Sequence, residues 1–330
     1  MTHALMIAVI ATALAFDFFN GFHDSANAIA TIVITKTLKP GQAVILAGAA
    51  NFVGYFAFGV AVAQMIGRGV VEAQAITLPI LVAALLGAIL WNIITWLLGL
   101  PTSSSHALIG GLVGAAIVSA GPGVVIFDGL WKIVAFIVLA PLLGMLGAIF
   151  FTNIVLLFAR KARPKPANRA FKHLQLVSAS AYAIAHGTND AQKSMGIIAL
   201  ALLAGGVTSE FTLERWIVLA CYSAMALGTM FGGWRIVKTM GSRITRVRPM
   251  EGFCAETSSA IVMFVTAHFG IPVSTTHVIA GSIMGVGTVE GASRVKWVTA
   301  RKIVWAWLIT IPFTAACSGL AYLLIHAILG

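Results

Sequence analysis

The chain has 330 residues, of which 59% are hydrophobic and only 9% charged. A soluble domain carries roughly 25% charged residues, so this composition excludes an ordinary soluble protein and indicates a polytopic membrane protein. The net charge of +11 does not point to nucleic acid, because the Lys and Arg residues sit in short loops between apolar runs, where they act as topology signals.

In chain order, apolar runs fall at 4–35, 42–66, 75–99, 102–119 and 131–159, and recur at 174–204, 215–234, 251–269, 274–288 and 303–328. Most reach the roughly 20 residues that a crossing needs. The start of the chain lacks the basic region and cleavage site of a signal peptide, so the first run is expected to stay as a membrane segment. The first run of each half is too long, since one helix of that length would reach about 50 Å against a core of about 30 Å. Each is expected to be strongly tilted, or broken at its Gly-containing Asp motif. The fourth run of each half is short and opens with Pro and hydroxyl residues, as half of a re-entrant hairpin would.

Basic residues cluster in the loops 36–39, 160–172, 235–248 and 294–302, while the loops near 67–74, 120–130 and 205–214 are acidic or nearly neutral. With five crossings per half, every basic loop falls on one side. The positive-inside rule makes that side cytoplasmic and places both termini outside, in the cytoplasmic (inner) membrane. An odd number of crossings per half inverts the second half relative to the first. The expected architecture is all-α and polytopic, with two inverted-topology repeats of about five elements each, broken helices and two re-entrant hairpin-like segments. Residues 1–159 form the first repeat, 160–173 a basic cytoplasmic linker, and 174–330 the second repeat. Cys221, Cys254 and Cys317 lie in apolar segments without metal or redox spacing and read as inert thiols.

Two motifs recur. Gly21-Phe22-His23-Asp24-Ser25-Ala26-Asn27 returns as Gly187-Thr188-Asn189-Asp190-Ala191-Gln192-Lys193. Leu100-Pro101-Thr102-Ser103-Ser104-Ser105-His106 returns as Ile271-Pro272-Val273-Ser274-Thr275-Thr276-His277. Polar groups are costly in a bilayer, so duplicated polar interruptions mark a substrate or ion path. Ser103, Ser104, Ser105 and Ser274, Thr275, Thr276 stand where Ser and Thr cap helices, ahead of Gly-rich stretches. A helix start offers free N–H groups and partial positive charge, which suit an oxyanion. Two such starts approaching from opposite sides would clamp a tetrahedral anion. The plainer alternative is capping plus hydroxyl contacts between helices.

Asp24 and Asp190 lie deep in apolar runs beside His23 and Asn189. A carboxylate among amide and carbonyl oxygens suits a hard cation, which makes both candidate metal ligands, and an intramembrane carboxylate also serves as a proton carrier. Asn27 and Lys193 occupy matching places. An ammonium three residues after Asp190 reaches its carboxylate, so the second site is expected to hold Lys193 itself or to handle protons, not sodium. The alternative is that Lys193 snorkels to an interface. Ser25 and Gln192 are candidates for added ligands. Glu256 has Leu85 as its first-half counterpart, and would carry a proton, pair with Lys193, help bind a metal, or be satisfied by Ser258 or Ser259. Asp17, two turns before Asp24, reads as local support. His23, His106 and His277 either relay protons or fix the surrounding loops. His173, His186 and His268 show no clustered partners and read as bland.

Taken together, Asn20-Gly21-Phe22-His23-Asp24-Ser25-Ala26-Asn27-Ala28, Ala185-His186-Gly187-Thr188-Asn189-Asp190, Glu256 and the two Pro-hydroxyl-His motifs resemble the PiT family of inorganic phosphate transporters over nearly the whole chain. The resemblance implies secondary active phosphate uptake by inverted repeats, with phosphate between two hairpin tips and cations near the Asp motifs. It implies sodium coupling in some members, and in many bacterial members proton coupling with phosphate carried as a neutral complex with magnesium or another divalent metal. Asn189-Asp190-Ala191-Gln192-Lys193 looks like the bacterial form, which favours protons.

The expected anion site is Ser103, Ser104, Ser105, Ser274, Thr275 and Thr276. Asp24, Asn27, Asn189, Asp190, Lys193 and Glu256 are expected to handle the cation or proton, with His23, His106, His277, Ser25 and Gln192 around them. No HExxH, GxSxG, P-loop or CxxC pattern is present, so neither enzymatic activity nor a resident cofactor is expected. The expected partners are phosphate, the coupling cation and the lipid bilayer. Small-residue spacing in the hairpin segments fits close helix packing within one chain or in a homo-oligomer. Competing readings are a sulfate transporter on the same scaffold, a passive anion channel, and an intramembrane phospholipid hydrolase using His106 or His277 beside the hydroxyls.

Overall fold

Inside a bilayer no water reaches the backbone, so each spanning segment must satisfy its own N–H and C=O groups. This chain does so with helices. The computed structural model describes residues 2–56, 61–271 and 273–329. Among them, the first half holds α1 (Thr2–Ile34), α2 (Pro40–Val53), α3 (Ala61–Arg68), α4 (Leu78–Leu98), α5 (Ser104–Ala120) and α6 (Phe127–Ala159). The second half holds α7 (Pro164–Ala204), α8 (Arg215–Phe231), α9 (Trp234–Lys238), α10 (Pro249–His268), α11 (Thr275–Val289) and α12 (Trp297–Leu329). Among the described residues, extended pairing is limited to one antiparallel bridge, Val71 with Val125.

Local signals set the boundaries. Pro40, Pro164 and Pro249 open their helices at the first position, where the missing N–H costs nothing. Gly99 closes α4 with φ +66°, a left-handed cap that donates back to Thr95 and Trp96. Residues 57–60, inside the second predicted run, and Pro272 of the second hydroxyl motif lie outside the described residues. Most of the segment 160–173 is not an open linker, because α7 already begins at Pro164.

Two expectations about the long runs separate here. α1 and α7 are continuous, at 33 and 41 residues, so neither is broken at its Asp motif. Gly21 and Gly187 serve another purpose: a Cβ on either would overlap backbone, of Met225 and of Asn51 respectively. They let α8 press against α1 and α2 against α7. The bend lies elsewhere, where α8 meets Trp234–Arg243 at 60° across Gly232-Gly233. By length and composition α1, α4, α6 and α12 can each cross a membrane, and the bent pair makes a fifth. α5 and α11, with 17 and 15 residues, reach only about 22–26 Å at 1.5 Å per residue.

α1 and α7 cross antiparallel at the centre. Asp17 meets Ser194, Asp24 meets His186, and Thr35 meets Gln175. The packing around this pair repeats: α1 lies on α8 as α7 lies on α2, α12 on α5 as α6 on α11, and α4 on α5 as α10 on α11. Two apolar cores flank the crossing. One joins Val9, Ala13 and Phe16 of α1 to Ile197 and Leu200 of α7, while the other joins Ile29 and Ile32 to Tyr182 and Ala183.

Close packing of the short helices rests on glycine. A Cβ on Gly281 would overlap the Pro141 carbonyl of α6, and one on Gly114 would overlap Ala315 of α12. The small-residue spacing therefore serves contacts within the chain. Gly281→Val should lower unfolding free energy in detergent by at least about 2 kcal/mol, since backbone cannot yield to the new methyls. Gly41→Ala, in open space on α2, should be neutral or stabilising by up to about 1 kcal/mol. Equal unfolding midpoints for the two variants would contradict the seam.

Candidate functional site

The two hydroxyl motifs fold alike. Ser103 and Ser274 are the N-caps of α5 and α11, and each hydroxyl accepts the N–H of the His three residues on, at 3.2 Å in both cases. Ser103, Ser104, Ser105, Ser274, Thr275 and Thr276 are all buried. Capping consumes Ser103 and Ser274, and of the hydroxyls in the first helical turns Ser104 and Thr276 meet α1.

They converge on Asp24. Ser104 Oγ donates to Asp24 Oδ2 at 3.4 Å. Thr276 Oγ1 lies 3.5 Å from Asp24 Oδ1 and 3.1 Å from the Thr102 carbonyl, and accepts from Asn27 Nδ2 at 2.8 Å. One carboxylate of α1 thus touches the first turns of both short helices, which come from opposite halves of the chain. His23 Nδ1 sits 2.6 Å from Asp24, and its Nε2 meets Thr95 Oγ1 at 3.1 Å. Thr102 also donates to Thr95, so His23, Thr95 and the first hydroxyl motif form one chain of contacts.

Asp190 is arranged differently. Lys193 Nζ lies 2.7 Å from Asp190 Oδ1. Lys193 is 1% exposed, so it does not snorkel, and it is the one buried Lys or Arg among the described residues. Between the two Asp residues stands His186, whose Nε2 is 3.5 Å from Asp190 and 4.0 Å from Asp24. One donor atom each from Asp24, His186 and Asp190 lies within 4.8 Å of the other two, a grouping with the size and chemistry to hold a cation. His186 is therefore central, not bland. The repeat hides it: the motif alignment sets His186 opposite Asn20, so no matching histidine drew attention to it. Its Nδ1 meets Asn51 of α2 at 3.3 Å, which fixes the ring.

The remaining residues divide. Asn27 and Asn189 each keep a buried side-chain carbonyl without a hydrogen-bond partner, the kind of oxygen a cation takes. Asn189 Nδ2 is bonded to Ala185 and Met263 carbonyls. Ser25 accepts the Gly233 N–H at 2.5 Å and holds the bend after α8. Gln192 Oε1 accepts the N–H groups of Val62 and Ala63 at the start of α3. Both act as braces between elements. Asp17 accepts from Ser194 at 2.7 Å and ties α1 to α7. The His106 and His277 rings lie 4.9 Å apart behind the hydroxyl motifs, and Trp307 stacks on His277 at 3.9 Å.

Glu256 pairs neither with Lys193 nor with Ser258 or Ser259. It accepts from Thr31 and Ser178 at 2.5 Å each and from Gln175 at 3.1 Å, so α1, α7 and α10 meet at one carboxyl. Ser258 bonds the Gly144 carbonyl instead, and Ser259 bonds Ala255 and Ser282. Matched through the repeat, Thr31, Gln175 and Glu256 correspond to Ile197, Val9 and Leu85, all fully buried in the first apolar core. Ser178 keeps a hydroxyl counterpart, Thr12, so the matching positions lack the carboxyl and two of its three donors.

The phosphate transporter (PHO4) family matches residues 20–318, and the chain belongs to that family. It is 50% identical over 319 residues to the "Probable low-affinity inorganic phosphate transporter" of Rhizobium meliloti strain 1021, covering 96% of each chain. It is 43% identical over 327 residues to the protein of that name in Bacillus subtilis strain 168, covering 98% of each. A solved structure titled "The sodium-dependent phosphate transporter" superposes with a TM-score of 0.90 over 98% of this chain and all of its own, at 24% identity, which establishes a shared fold.

Glu256→Leu leaves three buried donors without an acceptor and should lower stability by roughly 3 kcal/mol or more, at about 1–3 kcal/mol per donor. About a third of that loss, the share of one donor in three, should disappear in a Ser178→Ala background. Additive losses, measured by denaturant unfolding in detergent, would contradict a shared cluster.

Proposed function

We propose that this member of the phosphate transporter family imports inorganic phosphate across the cytoplasmic membrane by secondary active transport, coupled to a cation. The observation that carries this reading is the position of Asp24, within 3.5 Å of hydroxyls at the starts of both α5 and α11. Anion and cation sites that share a wall bind cooperatively, because each charge lowers the cost of burying the other. Ser104, Ser105, Thr275 and Thr276, with the first N–H groups of the two helices, would hold phosphate, and Ser103 and Ser274 shape the turns. Asp24 also favours phosphate over sulfate: protonated phosphate can donate a hydrogen bond to the carboxylate, whereas fully ionised sulfate cannot.

On the cation side, the Lys193 ammonium already neutralises Asp190, which leaves Asp24 as the coupling carboxylate. Protons are the favoured coupling ion over sodium, with Glu256 and His186 as further groups on the path. Phosphate can travel as a neutral magnesium or other divalent-metal complex, with Asp24 and Asp190 as the contacts for the metal cargo. The antiparallel crossing of α1 and α7 supports an inverted repeat, in which the hydroxyl motifs approach the midplane from opposite sides and exposure alternates. The basic loops would face the cytoplasm and both termini the outside.

Radiolabelled phosphate uptake into proteoliposomes tests the reading. A proton gradient should drive uptake without sodium, and excess sulfate should leave it intact. Ser104→Ala and Thr276→Ala should each weaken phosphate binding about tenfold. Lys193→Asn, which copies Asn27, should make uptake respond to sodium. A strict sodium requirement in the unaltered protein would overturn the role given to Lys193, and sulfate uptake without phosphate uptake would overturn the substrate.

A further inference from the structure

On the outer face of α12 a groove of about 650 Å³ opens between α6, α11 and the first turns of α12, within the usual size range for ligand pockets of about 300–1,000 Å³. Its walls are apolar, from Ile137, Pro141 and Met145 on α6 to Val304 and Leu308 on α12. Two further features set it apart from an ordinary lipid-facing furrow. Trp297 and Trp305 stand exposed along it, eight residues apart on α12, as interfacial aromatics do. Its sole charged lining residue is Arg301, whose guanidinium makes no ion pair or hydrogen bond among the described residues. Lys296 and Lys302 flank it in sequence.

We propose that this groove is a binding site for one anionic phospholipid, with an acyl chain along α6 and α12 and its phosphate on Arg301. A free guanidinium above an apolar slot matches that ligand at both ends, since its planar donors engage phosphate in pairs. Basic pockets between membrane helices on the cytoplasmic side take acidic lipid headgroups for the same reason. A second copy of this chain fits less well. An isologous contact would bury Arg301 with no acidic partner, because the groove offers none.

The floor of the groove gives the lipid a consequence. Trp307, 2% exposed, lines it from within. Its ring stacks on His277 and its Nε1 donates to the Pro101 carbonyl at 2.9 Å. One side chain thus separates the groove from both hydroxyl motifs, and an acyl chain packed on Trp307 would hold the starts of α5 and α11 in register. Lipid binding itself does not depend on the transport reading.

Native mass spectrometry and thermal unfolding of the detergent-purified protein, titrated with dioleoylphosphatidylglycerol or dioleoylphosphatidylcholine, test the site. The unaltered protein should retain one phosphatidylglycerol per chain and unfold at a higher temperature with it. Arg301→Ala should weaken that retention about tenfold, the loss of a charge-assisted contact, without affecting phosphatidylcholine. Arg301→Lys should restore part of it. Leu308→Trp, which fills the slot, should abolish retention of either lipid. Equal retention of the two lipids by the unaltered protein, or an Arg301→Ala variant that binds phosphatidylglycerol normally, would overturn the proposal. So would disulfide trapping of two copies through Trp305→Cys, which would make the occupant a second chain.

Discussion

The rest of the structure depends on the crossing of α1 and α7, where Asp24, His186, Asp190 and Lys193 are held together in the interior of a membrane protein. A bare carboxylate there would cost several kcal/mol, so each must meet a partner on its own helix or on a neighbouring one. α1 supplies His23 to Asp24, α7 supplies Lys193 to Asp190, and the short helices supply hydroxyls to Asp24. These demands pull four separate stretches of chain to one point. The glycine contacts, the left-handed cap at Gly99 and the short lengths of α5 and α11 are what allow them to arrive. A side chain at Gly21 or Gly281 would hold the surrounding helices too far apart for the polar contacts to close.

The same crossing explains why α1 and α7 remain unbroken. A helix break frees backbone groups that need new partners, whereas a straight helix needs none. Here the polar chemistry is carried by side chains on two intact helices, helix ends reach the site at α5 and α11, and the break at Gly232-Gly233 has its Gly233 N–H taken by Ser25 of α1. Labour is divided between the motifs: the long helices carry the ionisable groups, and the short ones carry helix termini and hydroxyls.

Much of this was legible in the sequence, and what was missed has physical causes. The duplication of the Asp and hydroxyl motifs located Asp24, Asp190 and the two N-caps, because a polar cluster inside an apolar run is conspicuous. The reach of Lys193 to Asp190 followed from helical spacing alone. The i,i+4 spacing from His186 to Asp190 carried the same signal, but its approach to Asp24, 162 residues away on α1, was not legible, since only the crossing of two helices brings them together. Glu256 failed for the same reason. Ser258 and Ser259 are the donors nearest to it in sequence, while its actual donors are Thr31, Gln175 and Ser178 on other helices. The expected break at the Asp motif assigned Gly21 a role in flexibility that belongs to close approach.

The departures from two-fold correspondence bear most directly on function. His186 faces Asn20, Lys193 faces Asn27, and the Thr31–Gln175–Glu256 cluster faces Ile197, Val9 and Leu85. His186, Lys193 and Glu256 place ionisable groups in the second half, while His23 and Asp17, which face Asn189 and Ala183, place them in the first. A site with equivalent halves would present the same electrostatics when opened to either side of the membrane. This site does not: toward one end of the crossing lie Asp17 and the Lys193–Asp190 pair beside the first apolar core, and toward the other lies the Thr31, Gln175, Ser178 and Glu256 cluster. Under the transport reading, that asymmetry makes the two exposures of one substrate site differ in their affinity for a coupling cation. A difference in state-dependent affinity is the only means by which a bound ion can bias a conformational equilibrium.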